Sequence, residues 1–153
     1  MSRSMRLSAI IFLVLTNLLL ILFPDSCCAQ EYDFQMRARG REVTGLLIVE
    51  NSDEGYTIGT IINEFGIKVF DFTYNGKKAK VSNVLGPLDR WYIRKVLNKD
   101  VTFILANINN KKDVTVKKRS IKFHDNGNIV IENRRFKIQY TLSINSKAHE
   151  TTE

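Results

Sequence analysis

The sequence predicts a mainly β domain: an antiparallel sheet that forms an open, incomplete barrel or is strongly curved, covered by one amphipathic helix. Three observations support this class. From Asp33 onward, short segments of alternating apolar and polar residues follow one another, with turn-forming residues about every ten positions. One segment, about residues 87–98, carries apolar side chains at helical spacing. Residues 1–26 have the order of a signal peptide, so we expect the domain to be exported.

The export signal comes first in the chain. Basic residues at Arg3 and Arg6 precede an apolar run from Leu7 to Phe23, and Pro24 breaks it. This run is close to the lower limit of the roughly 17 to 25 residues that cross a bilayer as a helix, so a retained anchor is the alternative. Because small residues and cysteines follow the break directly, a signal peptide that is removed is favoured.

The two cysteines of the chain, Cys27 and Cys28, are adjacent and lie where the signal ends. They cannot form a disulfide that cross-links the domain, so the domain must be stabilised by its apolar core. One processing route acylates Cys27, with Cys28 as second choice, and gives an outer-membrane lipoprotein that faces the periplasm or the surface. The other route cuts before Gln30 and leaves a soluble periplasmic or secreted protein. We favour the lipoprotein, because a cysteine at this distance from an apolar run is otherwise uncommon.

The strands are expected in a regular series. Residues 27–41 hold an N-terminal segment and the first strand, residues 42–145 the remaining β-rich domain, and residues 146–153 a polar tail. Asn75-Gly76 is the strongest turn signal, since this dipeptide supplies positive φ at both positions of a type I′ hairpin. The predicted strands after the first are 43–50, 55–62, 67–74, 77–85, 114–124, 128–132 and 136–144.

The helix is predicted over residues 87–98. Pro87 suits a first helical turn, and Asp89 places an acid near the positive end of the helix dipole. Trp91 and Tyr92 belong to the apolar stripe, and the helix should end near Asn98. It would lie across the sheet.

The chain is basic, with a formal net charge of +7. In an exported protein, anionic headgroups are a better match for this charge than nucleic acid. An ordinary solvated strand face and loop is nevertheless the simpler interpretation of these charges, and it is favoured. The local peak of positive charge comprises Lys111, Lys112, Lys117, Lys118 and Arg119.

Catalytic chemistry finds little support in the sequence. Neither His124 nor His149 has a partner at metal-ligand spacing, and no phosphate loop or nucleophile elbow is present. We therefore expect no catalytic residue, no metal and no cofactor. An exported hydrolase would require a serine and an acid beside His124.

The turn around Phe65 sets an aromatic side chain beside a glycine between two predicted strands. A turn with a packed phenylalanine is the simpler interpretation. The alternative is a functional tip at Phe65 that touches a membrane or a ligand.

One further pattern is spread over five segments of the chain: residues 45–49, 56–60, 63–72, 81–85 and 88–97. Together these segments resemble small bacterial lipoproteins distantly similar to the LolA and LolB lipoprotein-localisation family. The family resemblance implies an unclosed barrel whose apolar interior receives lipoprotein acyl chains on their way to the outer membrane. The chain departs from the family in its short, strand-like segment from Gln30 to Arg41, where the family has an amphipathic helix.

The leading hypothesis is a non-catalytic envelope lipoprotein that binds an acyl chain or another apolar ligand between sheet and helix. Burial of CH₂ groups, about 0.8 kcal/mol each, would drive the binding. The alternative is a lipid-anchored structural or interaction module with a filled core and no ligand, which contacts other envelope proteins. The side chains expected to line the cavity are Phe70, Phe72, Trp91 and Tyr140.

Overall fold

The computed structural model describes residues 29–144, so the predictions for the signal peptide, for Cys27 and Cys28 and for the polar tail lie outside the described residues. These residues form one nine-stranded antiparallel sheet and one α-helix, α1 (Trp91–Asn107), which confirms the predicted mainly β class. The strands are β1 (Gln30–Ala38), β2 (Arg41–Asn51), β3 (Thr57–Asn63), β4 (Lys68–Tyr74), β5 (Ala79–Ser82), β6 (Val114–Val116), β7 (Arg119–Phe123), β8 (Ile129–Asn133) and β9 (Ile138–Ile144).

The sheet is an open meander with the order β5-β4-β3-β2-β1-β9-β8-β7-β6. Strands that follow one another in the chain pair with each other, except β5 and β6, and β1 also pairs with β9, which joins the two halves of the sheet. The two edges are therefore β5 and β6, and α1 is the connection between them. Within the described chain, no helix is long and apolar enough to cross a membrane.

One face of the sheet forms the core. Side chains alternate along each strand, so every second residue points to this face. Leu97, Val101 and Ile104 of α1 pack against it. The buried apolar side chains that the strands contribute to this face are Tyr32, Phe34, Met36, Leu47, Ile61, Phe70, Phe72, Ala79, Val81, Ile121, Ile129, Ile131, Tyr140 and Leu142.

The helix begins and ends later than predicted. Pro87 lies in a separate 3-10 turn over Gly86–Leu88, and α1 continues to Asn107 instead of ending near Asn98. The predicted end near Asn98 is wrong, and the polar residues Asn98 and Asp100 both lie within the helix. They are partly buried and buried, respectively, and both bond to strands.

Two turns differ from the expected geometry. The segment predicted as one strand over 114–124 is two strands, because Lys117 takes the left-handed φ of 55° and the chain reverses there. At Asn75-Gly76 only the glycine has a positive φ, so the turn is not type I′. Asn75 instead accepts hydrogen bonds from the backbone N–H groups of Lys77 and Lys78, which closes a longer loop.

Candidate binding site

The structure separates the four side chains expected to line a cavity. Phe70, Phe72 and Tyr140 are buried together in the core of the sheet. Trp91 is 76% exposed at the first turn of α1, and its ring contacts that of Tyr92 edge-on with centroids 6.0 Å apart. Trp91 therefore does not line the space between sheet and helix as predicted.

The inner face of the sheet is covered by α1 itself. Leu97, Val101 and Ile104 are all buried among the side chains of the strands. Close packing of this kind excludes a ligand of acyl-chain size unless the helix moves. The two surface clefts described below have none of the four predicted cavity residues in their walls.

Asp100 of α1 is the centre of a buried polar cluster. It is 1% exposed, and its carboxylate accepts hydrogen bonds from Arg119 Nε at 2.7 Å and from Tyr140 OH at 2.8 Å. Asn133 Nδ2 donates to both carboxylate oxygens, at 2.7 and 3.0 Å. The cluster ties the helix to β7, β8 and β9. In the sequence, this cluster is indicated only by an acidic residue within the apolar stripe of Leu97, Val101 and Ile104.

Burial and charge shape the chemistry of this cluster. Removal from water, followed by the adjacent charge of Asp100, raises the pKa of Tyr140 well above its ordinary value. Its phenol therefore stays a hydrogen-bond donor. With its oxygens taken up by donors, the carboxylate acts as a fixed acceptor that orients Arg119.

Arg119 belongs to the buried cluster and also lines a surface cleft of about 720 Å³, which we call the lysine cleft. The cleft lies between α1, the β4–β5 turn and the β6–β7 turn. Its apolar wall is formed by Ala79, Phe103, Ala106 and Val116. Its cationic side chains are Lys77, Lys78, Lys95, Lys99, Lys117 and Arg119, and no acidic residue lines it.

The charge of the lysine cleft is largely uncompensated. Arg119 is paired with Asp100 at 2.7 Å, but the five lysines have no ion pair among residues 29–144. Like charges gathered in a concave surface raise the local positive potential, and a bound anion would relieve it. The predicted basic peak anticipated Lys117 and Arg119, whereas the contributions of the helix and of the β4–β5 turn were missed.

A second cleft of about 620 Å³ lies between the β1–β2 and β8–β9 turns. It also contains basic residues, but two of them are paired: Arg37 with Glu42 at 2.6 Å and Arg134 with Glu132 at 3.6 Å. The hydrogen bond from Arg37 lowers the pKa of Glu42, so this acid stays ionised and offsets part of the charge. The positive charge of the second cleft is therefore compensated more fully than that of the lysine cleft.

The remaining predicted positions lie at turns. Phe65 is 77% exposed at the tip of the β3–β4 turn. His124 lies in the β7–β8 turn, and His149 lies outside the described residues. In the part of the chain that the structure describes, no three His, Cys, Asp or Glu side chains are grouped as metal ligands.

Comparison with known proteins adds no assignment. No family model and no curated protein matches this chain. The resemblance to the LolA and LolB family therefore stays a prediction from the sequence.

Proposed function

We propose that the chain is a non-catalytic binding protein of the bacterial envelope, which holds an anionic amphiphile in the lysine cleft. The ligand class is an acyl chain with a negatively charged head. One observation carries this proposal: the cleft combines six cationic side chains and no acid with an apolar wall. The location in the envelope rests on the predicted signal peptide and on either an acylated Cys27 or cleavage before Gln30.

The fold expected from the resemblance, an open barrel, is compatible with the helix contacts. Side chains of α1 bond to β5, through Asn98 and Val81, and to β7, through Asp100 and Arg119. In a flat sheet these two strands would be seven spacings, about 34 Å, apart. A helix is only about 10–12 Å wide. We infer that the sheet bends around α1 and that the lysine cleft marks the gap between its edges.

Because side chains of α1 fill the interior, we expect the ligand to bind at the gap between the edges of the sheet. Acyl CH₂ groups would contact Phe103 and Val116, and about five of them, at about 0.8 kcal/mol each, would supply about 4 kcal/mol. The charged head would meet lysines on both sides of the cleft. The cleft volume of about 720 Å³ lies within the usual range of roughly 300–1,000 Å³ for small-molecule sites.

The alternative is an interaction module with a filled core and no small ligand. It is favoured by the packing of Leu97, Val101 and Ile104 into the inner face. In that case the lysines would contact an acidic envelope protein. The amphiphile-binding protein should bind a free fatty acid, whereas the interaction module should not.

The test is a binding titration that compares a fatty acid with the alcohol of the same chain length. We expect the acid to bind at least about tenfold more tightly, since about 1.4 kcal/mol of charge attraction suffices. The double variant Lys78→Glu/Lys99→Glu should lose this preference. The control is Lys80→Glu/Lys122→Glu, which makes the same charge change at two exposed positions, one between the buried Ala79 and Val81 and the other beside the buried Ile121. Equal affinity for acid and alcohol, or no binding of either, would refute the proposal.

A further inference from the structure

The two ends of the sheet differ in charge. The β1–β2, β3–β4, β5–α1 and β8–β9 connections lie at one end, because the strands alternate in direction. We call it the basic end. The β6–β7 turn, with Lys117, belongs instead to the lysine cleft. The connections of the basic end hold two acids, Glu64 and Asp89, and five basic residues: Arg39, Arg90, Arg134, Arg135 and Lys137. The connections at the opposite end are balanced, with Lys77, Lys78, Lys111 and Lys112 against Asp53, Glu54, Asp113 and Asp125.

Exposed apolar side chains gather at the same end. Phe65 and Ile67 lie in the β3–β4 turn, and Leu85 lies in the β5–α1 connection. Phe65 is 77% exposed and Ile67 is 49% exposed. The backbone N–H of Leu85 donates to the carbonyl of Val69, which holds this connection beside the start of β4.

Trp91 and Tyr92 belong to the basic end as well. The side chain of Asn98 bonds to the backbone N–H of Val81, and that of Thr102 bonds to the backbone N–H of Ala79, so α1 runs antiparallel to β5. The seven residues from Trp91 to Asn98 span about 10 Å of helix. Trp91 therefore lies beyond the last residues of β5, at the level of the neighbouring turns.

We propose that the basic end docks on an anionic lipid surface, with Phe65 and Trp91 entering the headgroup layer. Aromatic rings of this kind favour the interface between water and hydrocarbon, and clustered Lys and Arg are attracted to acidic headgroups. Phe65 projects from the β3–β4 turn and Trp91 from the first turn of α1, and both lie among cations. That arrangement suits a uniformly anionic, deformable surface better than the continuous apolar patch of a protein partner.

Trp91 is the only tryptophan of the chain, so its fluorescence reports this contact directly. The exported, mature protein is mixed with phosphatidylglycerol vesicles and, separately, with phosphatidylcholine vesicles. With phosphatidylglycerol we expect a blue shift of the Trp91 emission, quenching by brominated acyl chains, and loss of both in about 1 M salt. An equal response to the neutral vesicles, or no response to either, would overturn the proposal.

Matched variants locate the docking surface. Phe65→Ser and Arg39→Glu/Lys137→Glu should each weaken vesicle binding at least about tenfold. At the opposite end, Tyr56→Ser truncates an exposed aromatic side chain and Lys111→Glu/Lys112→Glu reverses two charges, and both should leave vesicle binding unchanged. Arg39 and Lys111 share a positive φ, of 50° and 47°. Equal losses in both sets, or self-association without lipid, would contradict docking through the basic end.

Docking is distinguishable from amphiphile binding by the cleft variant. Lys78→Glu/Lys99→Glu leaves all the connections of the basic end intact. We expect it to respond to phosphatidylglycerol vesicles as the unmodified protein does. Loss of the vesicle response in this variant would mean that the Trp91 signal follows lipid entering the lysine cleft, and would overturn a separate docking surface.

Discussion

Asp100 is a carboxylate on the buried side of a helix, and its removal from water opposes folding. Hydrogen bonds from Arg119, Asn133 and Tyr140 offset that cost. Charge-assisted bonds of this kind stabilise by about 1.5–3 kcal/mol each, and a buried charge that loses its partner is strongly unfavourable. The cluster therefore fixes how α1 sits on the sheet.

The substitution Asp100→Ala should lower the free energy of unfolding by about 3–5 kcal/mol, because it leaves three donors without their acceptor. Tyr140→Phe removes a single bond and should cost about 1–2 kcal/mol. Urea denaturation measures both, with Asp53→Ala at an exposed position as the comparison. If Asp100→Ala is too unstable to purify, Tyr140→Phe still tests the cluster. A cost below about 0.5 kcal/mol for Tyr140→Phe would contradict it.

At the scale of elements, the two edges of the sheet are protected differently. Two backbone N–H groups of β5 are bonded to α1: Val81 to Asn98 Oδ1 at 2.7 Å and Ala79 to Thr102 Oγ1 at 2.8 Å. Covering an edge with a helix prevents pairing with another chain. The other edge, β6, is only three residues long, which limits the same hazard by length.

The substitution Asn98→Ala should open the β5 edge locally. We expect the amide hydrogen of Val81 to exchange at least about fivefold faster, since a partly buried donor loses its acceptor. Native-state hydrogen exchange measures this, with amides of β1 as the global reference. Asn107→Ala removes a bond made within the helix, from Asn107 Nδ2 to the Phe103 carbonyl, and should leave Val81 unchanged. Equal acceleration across β1 would point to global destabilisation instead.

Sequence patterns predicted the elements whose signals are local. The antiparallel class and the position of the turn at Asn75-Gly76, but not its type, follow from alternation and turn residues. The turn at Lys117 was missed because it contains no glycine, proline or asparagine. The length of α1 was missed because Asn98 and Asp100 serve partners far away in the chain.

The candidate site depends on long-range contacts, which explains why it was predicted only in part. The basic peak near Lys117 was visible in the sequence, but Lys77 and Lys99 join it only through folding. The exposure of Trp91 follows from the register of α1 against β5, which the amphipathic pattern alone does not give. Local periodicity therefore predicted which apolar residues share one face of an element, but not which of them are buried.

At the scale of the whole molecule, the chain enters the sheet at the end opposite the basic end. β1 begins at Gln30 and runs for nine residues, about 30 Å, before the β1–β2 turn. Cys27 precedes Gln30 by three residues, a reach of about 10 Å. A lipid on Cys27 would therefore tether the end of the sheet opposite the basic end to the membrane. The basic end would then point away from that membrane.

The two processing routes then predict different behaviour with lipid. A chain acylated at Cys27 and held in one vesicle should dock its basic end on a second, phosphatidylglycerol vesicle, so light scattering should report bridging. Brominated lipid should quench Trp91 only when it is in the second vesicle. Cys27→Ser should bind one vesicle without bridging, and so should a mature chain that begins at Gln30. Quenching of Trp91 by brominated lipid in the anchoring vesicle would contradict this prediction. A reach of about 10 Å from Cys27 to Gln30 is shorter than β1, so Trp91 can touch the anchoring membrane only if the domain lies on its side.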